Sequence, residues 1–62
     1  MKRRNLIKIL EQHGWYFLRA GNNHDIYTND KRIEPIGRHT EIDEDLAKKI
    51  LKRNGIKIGG VL

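Results

Sequence analysis

The first apolar residues of the chain recur at the spacing of a helix, and this pattern stops at a glycine. Leu6 and Leu10 lie about one helical turn apart, which predicts an amphipathic helix over residues 3–13. Gly14 suits the left-handed position just past a helix end, where Trp15 would then contact Leu10. The pattern therefore predicts a first helix that is closed by Gly14.

Three runs of β-prone residues follow, separated by residues that favour turns. The expected strands cover residues 15–19, 24–28 and 32–36. Alternation along the first strand places Trp15 and Phe17 on one face, and we expect both side chains to pack on the helices. Pro35 indicates either that the third strand lies at an edge of the sheet or that the strand ends there. Short strands joined by tight turns predict an antiparallel meander.

The last part of the chain carries the clearest helical pattern. Asp43 is a good N-cap, and Asn54 with Gly55 forms a stop signal. The order is then α-β-β-β-α, which predicts an α+β fold with both helices on one face of a three-stranded antiparallel sheet. The side chains expected between helices and sheet are Leu6, Ile7, Leu10, Leu46, Ile50 and Leu51.

Composition limits what such a chain can be. It has 62 residues, a net charge of +5 and no cysteine. A chain this short forms one domain, assigned here to residues 1–62, with the tail 58–62 expected to be frayed or weakly extended. The charge predicts an anionic partner such as RNA, although it can also simply aid solubility. The lack of cysteine, of a leader and of a long apolar run favours a cytoplasmic protein that does not enter a membrane.

A histidine follows the first turn of the predicted meander. Gly21 and Asn22 tolerate positive φ and mark a tight turn, which leaves His24 at the end of the sheet and open to solvent. Histidine can both accept and donate a proton near neutral pH. On a basic domain this pattern indicates a proton-transfer group acting on RNA, and the alternative is a surface histidine in a hairpin.

The other two histidines do not add a metal site. His13 lies at the predicted helix end and is interpreted as structural, and His39 follows the third strand. Since the three histidines include no helical i, i+4 pair, we expect no metal ion and no cofactor.

Several short motifs follow one another along most of the chain. They are Gly14-Trp15, Arg19 before Gly21-x-x-His24 with Tyr27, Pro35 with His39, and Ile50-Leu51-Lys52 with Gly55. In this order the chain resembles the HicA family of bacterial toxins, which are small endoribonucleases of type II toxin–antitoxin modules. The resemblance covers about residues 2–57.

The resemblance implies a double-stranded-RNA-binding-domain-like fold, in agreement with the order of elements above. It also implies metal-independent cleavage of mRNA by a single histidine, which corresponds to His24, and inhibition by a HicB-type antitoxin. Asn22-Asn23-His24 replaces the family's Gly-Ser-His. Ile36-Gly37 separates Pro35 from Arg38, where the family commonly has Pro-Arg-His, and this leaves the position of His39 open.

RNA supplies its own nucleophile, the 2′-OH, so a neutral His24 can act as the base that removes its proton. The group that protonates the leaving oxygen is left open between His39, Tyr27 and a nearby cation. Gly21 and Asn23 are expected to support the turn. The candidates for contact with RNA, each of which can also be a solvated charge or polar group, are Arg19, Lys31, Arg38, His39, Lys48, Lys49 and Lys52.

Two other functions fit the same sequence. The chain can be a non-catalytic RNA-binding module in which His24 is only a contact. It can also be an interaction protein whose open sheet face receives a partner. In each case we expect the free chain to be a monomer.

Overall fold

Two helices and a three-stranded sheet form in the order expected from the sequence. In the computed structural model, residues 1–57 are described, so the expected frayed tail 58–62 lies outside the described residues. The elements are α1 (Arg3–Gln12), β1 (Tyr16–Ala20), β2 (His24–Thr28), β3 (Ile33–Gly37) and α2 (Glu44–Arg53). The bounds of the five elements agree with the expected ones to within about a residue. The α+β fold class with α-β-β-β-α order is therefore confirmed.

The sheet is an antiparallel meander with β2 in the centre. The strand order is β1-β2-β3. Along β2 and β3, His24 pairs with Gly37 and Tyr27 pairs with Glu34 without interruption. Between β1 and β2 the register shifts, because a bulge lies between Phe17 and the next paired residue of β1. As Pro35 indicated, β3 is an edge strand.

Both helices lie on the same face of the sheet. Alternate residues of one strand share a face, and so do residues directly opposite each other in an antiparallel pair. Asp25 of β2 and Glu34 of β3 therefore point to the same side as Tyr27. The Arg3 side chain of α1 bonds to Asp25, and the Arg53 side chain of α2 bonds to Glu34. The core between these layers consists of Leu6, Leu10, Trp15, Tyr27, Ile36, Ile42, Ala47, Ile50, Leu51 and Ile56.

The two helices end in the same way, and α2 begins with the expected cap. Gly14 has φ +85°, and the Trp15 N–H donates to the Leu10 carbonyl at 3.0 Å. After α2, Gly55 has φ +71°, which repeats this ending. The Asp43 carboxylate accepts the Leu46 N–H at the start of α2. Of the helices within residues 1–57, neither is long and apolar enough to cross a membrane.

Two side chains that we expected in the core are exposed, and Ile7 is only partly buried against it. The Phe17 side chain is 50% exposed, and its ring contacts the Tyr27 ring edge to face. No residue of β1 is buried, because the helices cover β2 and β3 rather than this edge strand. Leu46 is 46% exposed, since it lies in the first turn of α2, where the helix borders a pocket at the sheet edge. The predictions for Phe17 and Leu46 were therefore wrong.

Candidate functional site

His24 is the first residue of β2, and a tight turn of the backbone holds it there. Its side chain is exposed, as expected. The Gly21 N–H donates to the His24 carbonyl at 2.7 Å, which closes the turn. A Cβ atom on Gly21 would lie only 3.0 Å from that carbonyl oxygen. Neither Gly21 nor Asn22 has positive φ, so the reason we gave for the turn was wrong. The turn needs glycine because the backbone approaches so closely.

The guanidinium of Arg38, in the loop after β3, stabilises this turn by hydrogen bonds to its carbonyls. Its terminal nitrogens donate to the carbonyls of Gly21 at 2.7 Å, Asn22 at 2.9 Å and His24 at 3.2 Å. Its Nε donates to the Asp25 carboxylate at 3.0 Å. A guanidinium has five N–H donors in a rigid plane, and four hydrogen bonds engage them here. Arg38 thus fixes the backbone on which His24 is carried.

Asp25 joins the turn to the start of α1. Its second carboxylate oxygen accepts from the Arg3 guanidinium at 2.7 Å, while Arg3 Nε donates to the Gly37 carbonyl at 2.7 Å. Asp25 and Arg3 are each only 22% exposed, so this pair is partly shielded from water. Sequence reasoning missed both residues. The available signal was an acidic residue on the helix-facing side of β2, because a carboxylate placed there requires a cationic partner.

His39 lies beside His24, in the loop that follows β3. The Cδ2 atoms of the two imidazoles are each 3.9 Å from the position that a Cβ on Gly37 would occupy. Ile36 and Gly37 lie between Pro35 and Arg38, where the family commonly has Pro-Arg-His. They are the last two residues of β3, so the loop that contains His39 begins after them. The two histidines border one pocket of about 250 Å³, together with Pro35, Gly37, Glu41 and Leu46. The position of His39, which the sequence left open, is therefore next to His24.

Two carboxylates also border the pocket. The Glu41 carboxylate forms an ion pair with Lys2, with 3.1 Å between Oε1 and Nζ. The hydrogen bond from Lys2 is the main reason that the pKa of Glu41 lies below its usual value. Asp43 accepts the Leu46 N–H as the cap of α2. Both carboxylates at the rim therefore already have partners.

The other candidates for RNA contact are distributed over the molecule. Lys48, Lys49 and Lys52 are exposed on α2, and no ion pair within residues 1–57 involves them. Arg19 is exposed on β1, opposite Ile26 of β2. Lys31 lies in the turn after β2, at the far end of that strand from His24.

Tyr27 does not share the pocket with the histidines. Its side chain is buried on the helix-facing side of the sheet, and burial is the main reason that its pKa is raised. His13 is also remote, since its ring bonds to the Ile9 carbonyl at the end of α1. Within the described residues, no group of three or more histidine, aspartate or glutamate side chains is arranged to hold a metal ion.

Comparison with known proteins adds one finding to this geometry. A family model described as the HicA toxin of bacterial toxin–antitoxin systems matches residues 3–56, which is most of the chain. The comparisons with curated proteins and with solved structures gave no match. The matched segment includes both helices, the sheet and the histidine pocket.

Proposed function

Because the chain belongs to the HicA family of bacterial toxins, whose systems include an antitoxin partner, we propose that it is an endoribonuclease that cleaves mRNA with His24 as its general base. The observation that supports this most directly is the position of His24. Its imidazole is exposed at the end of the sheet, while four hydrogen bonds from Arg38 hold the turn and strand start that carry it. A proton acceptor that is accessible and carried on an anchored backbone suits attack by a 2′-OH.

The reaction follows from the chemistry of RNA. His24 takes the proton of the 2′-OH, and the 2′-oxygen attacks the adjacent phosphorus. The bond between phosphorus and the 5′-oxygen then breaks and the leaving oxygen takes up a proton from an acid, which leaves a 2′,3′-cyclic phosphate and a 5′-hydroxyl. The nucleophile belongs to the RNA, so neither an activated water nor a metal ion is needed to generate it.

We assign the binding of RNA chiefly to α2. Lys48, Lys49 and Lys52 are exposed on this helix, and Lys49 and Lys52 border one shallow surface with Arg53. Lysines on a helix can contact phosphates across a groove without reading the bases. Binding of this kind is weakly dependent on sequence and strongly dependent on salt.

We further propose that the antitoxin is of the HicB type and covers the face of the sheet that bears His24. The register places Tyr16, Ile26 and Ile33 on this face, and Tyr16 and Ile33 are 45% and 60% exposed. Exposed apolar side chains beside a charged site are typical of a protein interface. A net charge of +5 favours an acidic partner surface. A complex in which His24 remains open to solvent would contradict inhibition by covering the site.

The test is cleavage of a long mRNA by the purified protein in EDTA, with end-group analysis of the products. We expect cleavage to persist in EDTA and to yield cyclic phosphate and 5′-hydroxyl ends. His24→Ala should abolish cleavage while folding and RNA binding remain nearly intact. His13→Ala is the matched control, since it removes the same side chain from the end of α1, and it should retain activity.

Three results would refute this mechanism: 5′-phosphate products, a requirement for magnesium, or full activity of His24→Ala. The alternative function, a non-catalytic RNA-binding module of the same fold, is favoured by the exposed lysines of α2. It predicts binding without cleavage by the unaltered protein. In either case we place the protein in the cytoplasm, where mRNA is found.

A further inference from the structure

The pocket at the edge of β3 contains two imidazoles where the proposed reaction has used one. His24 reaches it from the start of β2, and His39 reaches it from the loop after β3. Gly37 lies between them, and each ring's Cδ2 is 3.9 Å from the point where a Cβ at Gly37 would be. The absent side chain leaves room in the pocket close to both imidazoles.

We infer that His39 is a second catalytic residue, the general acid that protonates the leaving 5′-oxygen. This inference rests on the proposed function. In-line displacement puts the attacking and leaving oxygens on opposite sides of the phosphorus, so base and acid must flank the phosphate. Two imidazoles that border the same pocket can supply both groups, whereas a single imidazole supplies only one.

The proton balance of the step is complete. Neutral His24 accepts the 2′-OH proton as the bond from the 2′-oxygen to phosphorus forms. Protonated His39 donates its proton as the bond from phosphorus to the 5′-oxygen breaks. The step leaves His24 protonated and His39 neutral, and exchange of one proton each with water restores both.

The other groups considered for the acid are excluded by their positions. Tyr27 is buried on the opposite face of the sheet from the paired residues His24 and Gly37. Arg38 remains charged at all relevant pH values and directs its N–H groups at the turn. His39, by contrast, is an exposed side chain in the same pocket as the base.

Charged groups also border the pocket that holds the two imidazoles. Glu41 and Asp43 border the pocket from the loop and from the start of α2, and Arg38 reaches the backbone of His24.

A modified RNA tests the inference directly. We would compare an RNA with a normal 5′-oxygen at the scissile phosphate and one in which sulfur replaces that oxygen, since a thiolate leaves without protonation. With the normal RNA, His39→Ala should cleave about 10²–10⁴-fold more slowly, the usual contribution of a general acid. With the sulfur-containing RNA, His39→Ala should approach the rate of the unaltered protein. His24→Ala should be inactive on both, because its loss affects attack rather than departure.

The pH dependence of the rate provides a second readout. The unaltered protein should give a bell-shaped profile, and His39→Ala should lose the fall in rate on the alkaline side, where the acid is deprotonated. His39→Gln, which keeps a polar side chain but no ionisable ring, should behave as His39→Ala does. Circular dichroism would show that both variants fold.

The outcomes separate this inference from the proposed function. If His39→Ala cleaves normal RNA at the unaltered rate, or loses activity equally on both RNAs, His39 is not the acid, while His24 can still be the base. If sulfur rescues His24→Ala instead, the two roles are reversed and the assignment is wrong. If the unaltered protein cleaves neither RNA, the proposed function itself fails.

Discussion

Arg38 offers a direct test of whether the backbone around His24 must be held in place. Replacing it with alanine removes three hydrogen bonds to carbonyls of the turn and strand start, at 2.7, 2.9 and 3.2 Å, and the contact with Asp25 at 3.0 Å. Asp25 keeps its bond to Arg3, so no buried carboxylate is left without a partner. The loss is therefore concentrated on the turn.

The expected loss of stability is modest. A hydrogen bond contributes about 0.5–1.5 kcal/mol net, and an exposed ion pair about 0.2–1 kcal/mol. The Arg38 side chain is 42% exposed, so water replaces part of what is lost. We expect a decrease of about 1–2 kcal/mol in the free energy of unfolding, which lowers the melting temperature of a domain this small by roughly 5–15 °C.

The expected loss of activity is larger than this loss of stability alone would cause. Displacing a catalytic group by about 1 Å can cost on the order of 10²-fold in rate, and an unfastened turn allows His24 such displacements. Arg38→Ala should therefore lower kcat by roughly 10- to 100-fold with little change in KM. Arg38→Lys should not restore the rate, because an ammonium cannot bond to three carbonyls and a carboxylate at once.

The assay is steady-state cleavage of RNA at a temperature below the thermal transition of every variant. Thermal melting of each variant is measured in parallel. Lys8→Ala is the matched control, since it removes one positive charge from an exposed position on α1 that has no assigned role. If Arg38→Ala raises KM and leaves kcat unchanged, Arg38 is a phosphate contact, as the sequence also allowed. An unchanged kcat and KM would refute both roles.

Two further predictions concern parts of the molecule away from the pocket. Although burial raises the pKa of Glu34, hydrogen bonds from Arg53 and Asn54 outweigh this effect and hold the pKa below its usual value. Glu34→Gln should lower stability at pH 7 by about 1–2 kcal/mol. The full difference in stability between the two proteins is present above the unfolded-state pKa of Glu34. It should shrink as the pH falls from about 5 through the lowered folded-state pKa. Urea melts at a series of pH values would show this. Reversal of Lys48, Lys49 and Lys52 to glutamate should weaken RNA binding without unfolding the domain, and filter binding at several salt concentrations should show a shallower salt dependence. Unchanged affinity would exclude α2 as the binding surface.

Local patterns were sufficient to predict most of the fold. The spacing of Leu6 and Leu10 and the position of Asp43 defined the two helices, because periodicity and capping are properties of neighbouring residues. The endings at Gly14 and Gly55 were predicted for the same reason, since glycine is the residue that most readily adopts φ of +85° and +71°. These features depend on nothing beyond a few adjacent positions.

The errors arose where distant segments meet. Phe17 lies opposite Tyr27 on the helix-facing side, as a period of two predicted, but the helices do not cover β1. Leu46 fits the apolar stripe of α2, yet the sheet ends before it can cover that turn. In both cases the decisive fact is what lies opposite the residue, which periodicity does not contain.

The candidate site was only partly predictable. His24 could be singled out because a turn and a strand start are local features. The contact of His39 with the same pocket depends on β3 extending to Gly37, and the contact of Arg38 with the turn depends on the pairing of β2 with β3. Asp25 and Arg3 meet across 22 positions of the chain, a separation for which the sequence contains no spacing rule.

The bulge in β1 also affects how this molecule behaves when it is concentrated. Edge strands with regular, unpaired backbone groups can recruit strands from other molecules and start aggregation. In the described part of the chain, the β1 edge is interrupted by the bulge after Phe17, and the β3 edge carries Pro35, which has no N–H to donate. Both edges therefore resist the addition of a further strand. A toxin released from its antitoxin can then accumulate as a dispersed protein even though apolar side chains remain exposed on its sheet.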